Sequence, residues 1–256
     1  MVRAIPLLMI VCVFAGLPAI AQEGPPPYLF VIESGMKAAD VPIWTMAMRD
    51  VATAHAESDN GNAWAAYQST TGGPDTRFRF YIPLRKLAEL DNWASTREVV
   101  IGALGADAGK AALRVLDAAD YAADRLAAYN APLSRPPAPR VAPYRHIWVL
   151  TVQIRKGKLI EYAALMRRVK RANDAHDDGA HWAAYADAIG GEVDTVELYF
   201  PFDRFAELDA WPGTPEILAS HYGADEAARI LEALDGISEA TSQIWSLVPS
   251  LSVMPH

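Results

Sequence analysis

The stretch WAAYADAIGG, residues 182–191, has a near copy in WAAYQSTTGG, residues 64–73. The offset between them is 118 residues, and the same offset works far outside the phrase. It carries Tyr81 onto Tyr199, Pro83 onto Pro201, Trp93 onto Trp211 and Ala88-Glu89-Leu90-Asp91 onto Ala206-Glu207-Leu208-Asp209. Gly105-Ala106-Asp107 meets Gly223-Ala224-Asp225, and Leu133-Ser134 meets Leu251-Ser252. One constant shift therefore relates residues 28–134 to residues 146–252 without a gap. Identity is roughly three in ten positions, and it falls on scattered Trp, Gly, Tyr and Pro, as an internal repeat requires.

Each copy reads alike. A β-rich apolar run opens it, Tyr28-Leu29-Phe30-Val31-Ile32 or His146-Ile147-Trp148-Val149-Leu150-Thr151-Val152. A helix follows, with its apolar stripe on Val41, Trp44, Met48 and Val51, or on Leu159, Tyr162, Met166 and Val169. The quoted phrase is the next strand, closed by a Gly-Gly turn. Phe78, Phe80 and Ile82 then alternate with Arg77, Arg79 and Tyr81, and Val196, Leu198 and Phe200 with Thr195, Glu197 and Tyr199. Short helices are expected after Ser95 and at Thr214-Pro215, longer ones after Gly105 and Gly223, and a last strand near Ile244 to Val248.

The order is β-α-β-β-α-β, a ferredoxin-like unit. One such unit covers one face of its sheet with helices and leaves the other bare. Here the strands are apolar on both faces. Two copies bury the second face by closing on each other, so the expected fold is α+β: two tandem ferredoxin-like repeats forming one intramolecular α/β barrel. The expected divisions are a signal peptide over 1–21, a Pro-rich segment over 22–27, repeat 1 over 28–134, a Pro-rich linker over 135–145 and repeat 2 over 146–252. If the sheets face each other, Arg79 and Glu197, equivalent positions, meet near the pseudo-twofold axis. The chain is expected to be a monomer whose duplication replaces a homodimer.

The signal peptide is read from Arg3, the apolar run Ile5 to Leu17 and the small residues Ala19 and Ala21 before Gln22. Export to the periplasm or beyond is the expectation, with no membrane segment left in the mature form. Cleavage would remove Cys12, the one cysteine, and with it any disulfide, Fe–S cluster or thiol nucleophile. The formal net charge of −8, with no basic stripe, argues against nucleic acid and anionic membranes.

In these features the chain resembles the dimeric α/β-barrel superfamily in its fused, tandem form. It looks most like the branch with antibiotic-biosynthesis-monooxygenase-like and NIPSNAP-like domains. The β-α-β-β-α-β order, the Trp-Ala-Ala-Tyr strand, the Gly-Gly hairpin and the segments Asp91-Asn92-Trp93 and Asp209-Ala210-Trp211 carry the likeness. The resemblance implies the fold but no single activity. The superfamily holds cofactor-free oxygenases, haem-degrading monooxygenases, haem peroxidases, isomerases and polyketide cyclases.

Three chemistries are open. The spacing of Trp211 and His221 resembles the pocket tryptophan and iron-ligating histidine of the haem-degrading members, although the strand asparagine of that family is missing. The bland reading of His221 is an imidazole at a helix C-terminus. His176, Asp177 and His181 could ligate zinc or copper, or form an ordinary turn. Finally, Trp182, Tyr185, Tyr199, Trp211 and His221 could line a pocket for a small apolar or aromatic ligand, with His221 or His55 as general base, or could be aromatic core. The function expected is therefore small-molecule binding without a cofactor. The alternative is a monooxygenase-like enzyme, cofactor-free or haem-dependent.

Overall fold

The computed structural model describes residues 24–58, 62–71, 75–140, 142–176 and 178–254. The leader read over 1–21, the Gln22 start and the first Gly-Gly turn at 72–73 lie outside the described residues. The first half contains β1 (Tyr28–Met36), α1 (Val41–Glu57), β2 (Ala65–Ser69), β3 (Thr76–Leu84), α2 (Thr96–Leu104), α3 (Ala106–Leu116) and β4 (Tyr121–Tyr129). The second contains β5 (His146–Ile154), α4 (Leu159–Asp174), β6 (Ala183–Ile189), β7 (Thr195–Phe202), α5 (Ala206–Ala210), α6 (Thr214–Tyr222), α7 (Ala224–Ile237) and β8 (Ser238–Leu247). The last strand starts six residues earlier than the apolar pattern suggests (Ser238 against Ile244), because its first half is polar and faces solvent.

All eight strands pair antiparallel in one closed barrel, in the order β1-β3-β2-β8-β5-β7-β6-β4. The halves join twice, at β2–β8 and at β4–β6. Closure removes every sheet edge, which a four-stranded sheet of either half would expose.

Strand alternation sorts the side chains. Phe78, Phe80 and Ile82 face outward onto α1, where Trp44 stacks on Phe78 at 4.8 Å. Val196 and Leu198 face outward onto Tyr162, Met166 and Val169 of α4. Inside the barrel lies a third cluster of Val31, Tyr67, Tyr81, Val149, Tyr185, Tyr199 and Trp245. Gly105 and Gly223 each end one helix and start the next, at φ of 83° and 85°, a conformation costly for any residue with a Cβ.

The repeated phrase is where the halves grip each other. The Trp64 indole donates to the Leu251 carbonyl at 2.6 Å, and the Trp182 indole to the Leu133 carbonyl at 2.7 Å. The amide of Ala66 donates to Ser252 Oγ, and that of Ala184 to Ser134 Oγ. Tyr67 donates to the Tyr144 carbonyl at 2.8 Å, and Tyr185 to that of Pro26 at 2.9 Å. Each copy of Trp-Ala-Ala-Tyr thus anchors chain that belongs to, or leads into, the other copy.

Candidate functional site

The barrel interior has two ends of opposite chemistry. Along β1, Leu29, Val31 and Glu33 point inward, so one strand runs from apolar to charged in five residues. β3 does the same with Pro83, Tyr81, Arg79 and Arg77, and β7 with Pro201, Tyr199, Glu197 and Thr195.

Between the ends sits a plug of rings and charges. Tyr81 and Tyr199, equivalent residues, meet edge to face at 5.6 Å. Tyr67 packs on Tyr81 and Tyr185 on Tyr199 in the same manner. Next to them Arg79 Nη1 donates to Glu197 Oε1 at 3.2 Å, and Arg79 Nε to Glu33 Oε2 at 2.6 Å. All three groups are buried. Glu197 also accepts from Arg125, Thr151 and the Tyr199 hydroxyl. Burial pushes the Glu197 carboxyl up, but Arg79 and Arg125, with the Tyr199 and Thr151 hydroxyls, outweigh it and hold its pKa below the usual range. Burial drives the Tyr81 hydroxyl up to about 12, with the Arg79 charge only a partial offset, so it stays protonated at neutral pH. The guanidinium of Arg79 lies 4.5 Å from the Trp245 ring centre, a cation–π contact.

The apolar end opens into a cavity of about 790 Å³. Leu29, Ala65, Ile147 and Ala183 form its walls, and Tyr67, Tyr81, Tyr185 and Tyr199 its floor. Two proline-rich straps cross its rim, residues 24–26 and residues 137–140 with 142–144. The four floor residues form two pairs offset by 118 residues, Tyr67 with Tyr185 and Tyr81 with Tyr199, so both halves of the chain supply the floor. Tyrosine hydroxyls hold the straps through Pro26 and Tyr144. Arg140 clamps the second strap, donating to Asp203 at 2.7 Å and to the carbonyls of Ala142 and Pro143. This volume is in the range of small-molecule sites.

The structure separates the five residues read as one pocket. Tyr185 and Tyr199 lie inside the barrel, on the floor of the apolar end. Trp182, immediately before β6, is turned to the opposite face and buried in the cluster beneath α4. Trp211 packs outside, against Trp148 at 6.4 Å, Phe200 at 6.1 Å and Phe202 at 6.3 Å. His221 is exposed near the end of α6 with its ring against Tyr222, and it lines neither end of the barrel. Trp211 and His221 therefore both lie outside the two barrel-end cavities. His55 is buried; its Nδ1 accepts from the Asn62 amide at 3.1 Å and its ring packs on Trp64. Burial lowers its pKa, so it is a neutral core imidazole rather than a base facing a cavity.

The loop with His176 and His181 is organised by a cation already. The Arg135 guanidinium donates to the carbonyls of His176, Gly179 and Ala180 and pairs with Asp174. His181 contacts the Pro136 carbonyl at 3.2 Å. Asp177 lies outside the described residues. Among the described residues no group of three or more His, Cys, Asp or Glu is placed to hold a metal. Nor is any described helix long and apolar enough to cross a membrane.

The charge network is larger than the sequence suggested. Arg79 and Glu197 do meet, but Glu33, Arg125 and Asp187 join them, and no motif marks these three. For Glu33 and Asp187 the one available signal was inward parity on strands already assigned; Arg125 lies on β4, ahead of the stretch expected as the last strand of the first copy.

No family model matches the chain, and no curated protein does. Solved structures do. A "Putative monooxygenase" from Fusobacterium nucleatum superposes with a TM-score of 0.53 at 11% identity, over 87% of this chain and 93% of that one. An anthrone oxidase-like protein gives 0.49 at 14% identity, over 87% and 92%. A haem-binding protein from Thermus thermophilus gives 0.47 at 11%, over 89% and 93%. At such identities a likeness speaks of fold alone. The chain is a mixed α+β protein with a closed eight-stranded antiparallel barrel, similar to the dimeric α/β-barrel proteins.

Proposed function

We propose that this protein binds a small apolar or aromatic molecule in the barrel end beneath the proline straps. The observation that carries this reading is the cavity of about 790 Å³ floored by Tyr67, Tyr81, Tyr185 and Tyr199. Three of those hydroxyls are taken, by Tyr144, Pro26 and Glu197. What the floor offers a ligand is ring carbon, which suits a flat apolar body. We further infer that the chain is two fused ferredoxin-like units, residues 28–134 and 146–252, working as a monomer. The constant offset and the reciprocal bonds of the two Trp-Ala-Ala-Tyr strands support this. Export, by way of a leader over 1–21, is part of the same proposal and rests on that segment's composition.

An oxygenase-type activity at the same cavity is the second reading. The fold neighbour from Fusobacterium nucleatum favours it by its name. Neither His55 nor His221 stands at the cavity to act as its base, so binding without chemistry is the reading preferred.

The test is titration with N-phenyl-1-naphthylamine, a neutral aromatic whose fluorescence rises in apolar surroundings. A probe of this size is worth about 5 kcal/mol or more when well buried, so the expected Kd is on the order of 0.1 mM or tighter. Ala183→Trp would fill the cavity from its wall and is expected to abolish saturable binding. If binding is unaffected by Ala183→Trp in a folded variant, the site is elsewhere.

A further inference from the structure

We propose that the ligand of the apolar barrel end carries one carboxylate, and that the Arg85 guanidinium receives it. This rests on the binding reading above and deepens it. It names an apolar or aromatic monocarboxylic acid as the ligand class, and it fixes which way round the ligand lies.

The floor of the cavity is alike in the two halves, but the rim is not. Asn62, Trp64, Arg85, Glu89 and Trp93 line it on the first-half side, and their equivalents at 180, 182, 203, 207 and 211 do not. The linker is the reason. Arg135 pairs with Trp182 and donates to the carbonyls of Gly179 and Ala180, and Arg140, further on, holds Asp203. The linker thus lies across the rim of the second half, and the open part of the cavity is left beside β3 and Trp93. Trp93 is half-buried there and packs edge-on against Phe30 at 5.7 Å, whereas Trp211 is packed among Trp148, Phe200 and Phe202.

Arg85 continues the inward parity of β3. Arg77, Arg79, Tyr81 and Pro83 line the barrel interior, and two residues on, Arg85 stands at its mouth. Its equivalent, Asp203, shows where a side chain at this position reaches: over the rim, to Arg140 of the strap at 2.7 Å. The first half therefore has a guanidinium where the second has a carboxylate. Asp203 is satisfied, by Arg140 and by the Arg145 amide. The Arg85 guanidinium is exposed and has no hydrogen bond, ion pair or ring contact among the described residues.

Among the described residues three charged side chains line the cavity: Arg85, Arg140 and Glu89. Arg140 is used by Asp203 and the strap carbonyls. Glu89 accepts from the Arg85 amide at 3.2 Å, as Glu207 accepts from the Arg204 amide at 3.1 Å, so each closes the turn after its strand. What remains for a ligand is one fork of N–H donors, with one carboxylate of the protein on the same rim. A planar carboxylate matches the fork, and a single negative charge suits that balance. A dianion would be set against Glu89. The rest of the lining is mostly ring carbon, proline and small apolar side chains, which suits the body of the acid. The body lies on the tyrosine floor, and the carboxylate points toward β3 and away from Asp203 after β7.

The experiment is displacement of bound N-phenyl-1-naphthylamine from the full chain by 1-naphthaleneacetate, 1-naphthaleneacetamide and 1-naphthyl phosphate, at pH 7 and low salt. The acid and the amide share one body and differ by one charge. The acid is expected to bind about two- to fivefold more tightly than the amide, the range of one ion pair open to solvent. That ratio should fall toward one in about 0.5 M salt. Arg85→Gln should bring it to about one, and Arg85→Lys, which keeps the charge without the fork, should retain part of it. The phosphate should bind no more tightly than the acid. Equal affinity for acid and amide while the naphthylamine binds would overturn this inference and leave the apolar site standing; no naphthylamine binding would overturn both. A preference for the acid that survives Arg85→Gln, or a tighter phosphate, would overturn the assignment to Arg85 and a carboxylate.

Discussion

Replacing Arg79 by methionine tests whether the pair on the pseudo-axis holds the barrel as the geometry implies. Arg79 is buried and donates to two buried carboxylates, Glu33 at 2.6 Å and Glu197 at 3.2 Å. Methionine fills similar space and removes the charge. Glu197 keeps Arg125, Thr151 and Tyr199, whereas Glu33 is left with the distant Arg77 alone. Breaking a buried pair by removing one member costs about 3–5 kcal/mol, because the remaining charge has no compensation. With an m-value of roughly 2–3 kcal/mol/M, the urea midpoint should fall by about 1–2 M at pH 7. The loss should also depend on pH, with a definite sign. In the native protein the Glu197 pKa lies below its ordinary value of 4.5, so its contribution is present above 4.5 and lost as the pH falls through the folded value. Without Arg79 the largest of the influences that lower the Glu197 pKa is gone, so that pKa moves up toward its unfolded value and less of this pH-dependent stability remains. The gap between native protein and variant is therefore widest near pH 7 and narrows toward pH 4. Urea unfolding by tryptophan fluorescence at pH 7, 5.5 and 4.5 reads both effects. A gap below about 1 kcal/mol at pH 7, or one that does not change with pH, would refute the reasoning, since it would mean that water already compensates these charges.

Trp64→Phe and Trp182→Phe each remove one indole donor to a buried carbonyl of the other half, so each should cost about 1–3 kcal/mol in chemical denaturation, and the two values should agree within about 1 kcal/mol. Gly191→Ala would set a methyl into Asp187 and should lower Tm by several degrees, roughly the effect of 1–2 kcal/mol, while the amide spectrum at the apolar end stays unchanged. His221→Ala removes an exposed ring and should change stability by no more than about 0.5 kcal/mol, without affecting naphthylamine binding; loss of that binding would return His221 to the site. Arg140→Ala frees the second strap from Asp203 and should increase proteolysis between residues 137 and 144, seen by mass spectrometry of the fragments.

Alternation and one offset were enough to read the barrel, and the same two facts show where reading stops. Arg79 and Glu197 could be paired from sequence because they occupy equivalent inward positions on β3 and β7, and a twofold arrangement brings equivalent strands face to face. Arg125 and Asp187 could not. They meet because β4 pairs with β6 across the seam, in a register that shifts between Leu126 and Ala127. Nothing local encodes a seam register, which is set by closure of the whole barrel. The five-residue aromatic pocket failed on a smaller point. Trp182 and Tyr185 are three apart, and on a strand an odd spacing means opposite faces, so grouping them treated the phrase as a patch instead of a ribbon. At α6 the packed face runs out before the helix does: Ile217 and Leu218 are buried, but one turn later His221 is exposed, and Tyr222, half-buried, keeps contact through its hydroxyl, which donates to the Arg168 carbonyl.

The divergence of the two halves is where function is best sought, and it is not where histidines are counted. Imidazoles at 176, 181 and 221 distinguish the second copy on paper, yet 181 and 221 are exposed and 176 sits in a loop whose carbonyls already hold Arg135. Inside the barrel the copies agree at the apolar end, where tyrosine faces tyrosine, and disagree at the charged end, where Arg77 faces Thr195 and Arg125 faces Gln243. A symmetric floor can take a ring lying across the axis in either orientation, so the choice falls to the rim. The polarised end keeps buried guanidiniums and carboxylates that a well-packed apolar plug would replace at no loss of stability. Replacing Glu33 and Arg79 together by leucine and methionine should then cost less than Arg79→Met alone, because no buried carboxylate is left with Arg77 as its one partner while Glu197 keeps Arg125. If the double variant unfolds at the same urea concentration as Arg79→Met, an uncompensated Glu33 is not what the single change costs, and the plug owes its charges to something other than their mutual pairing.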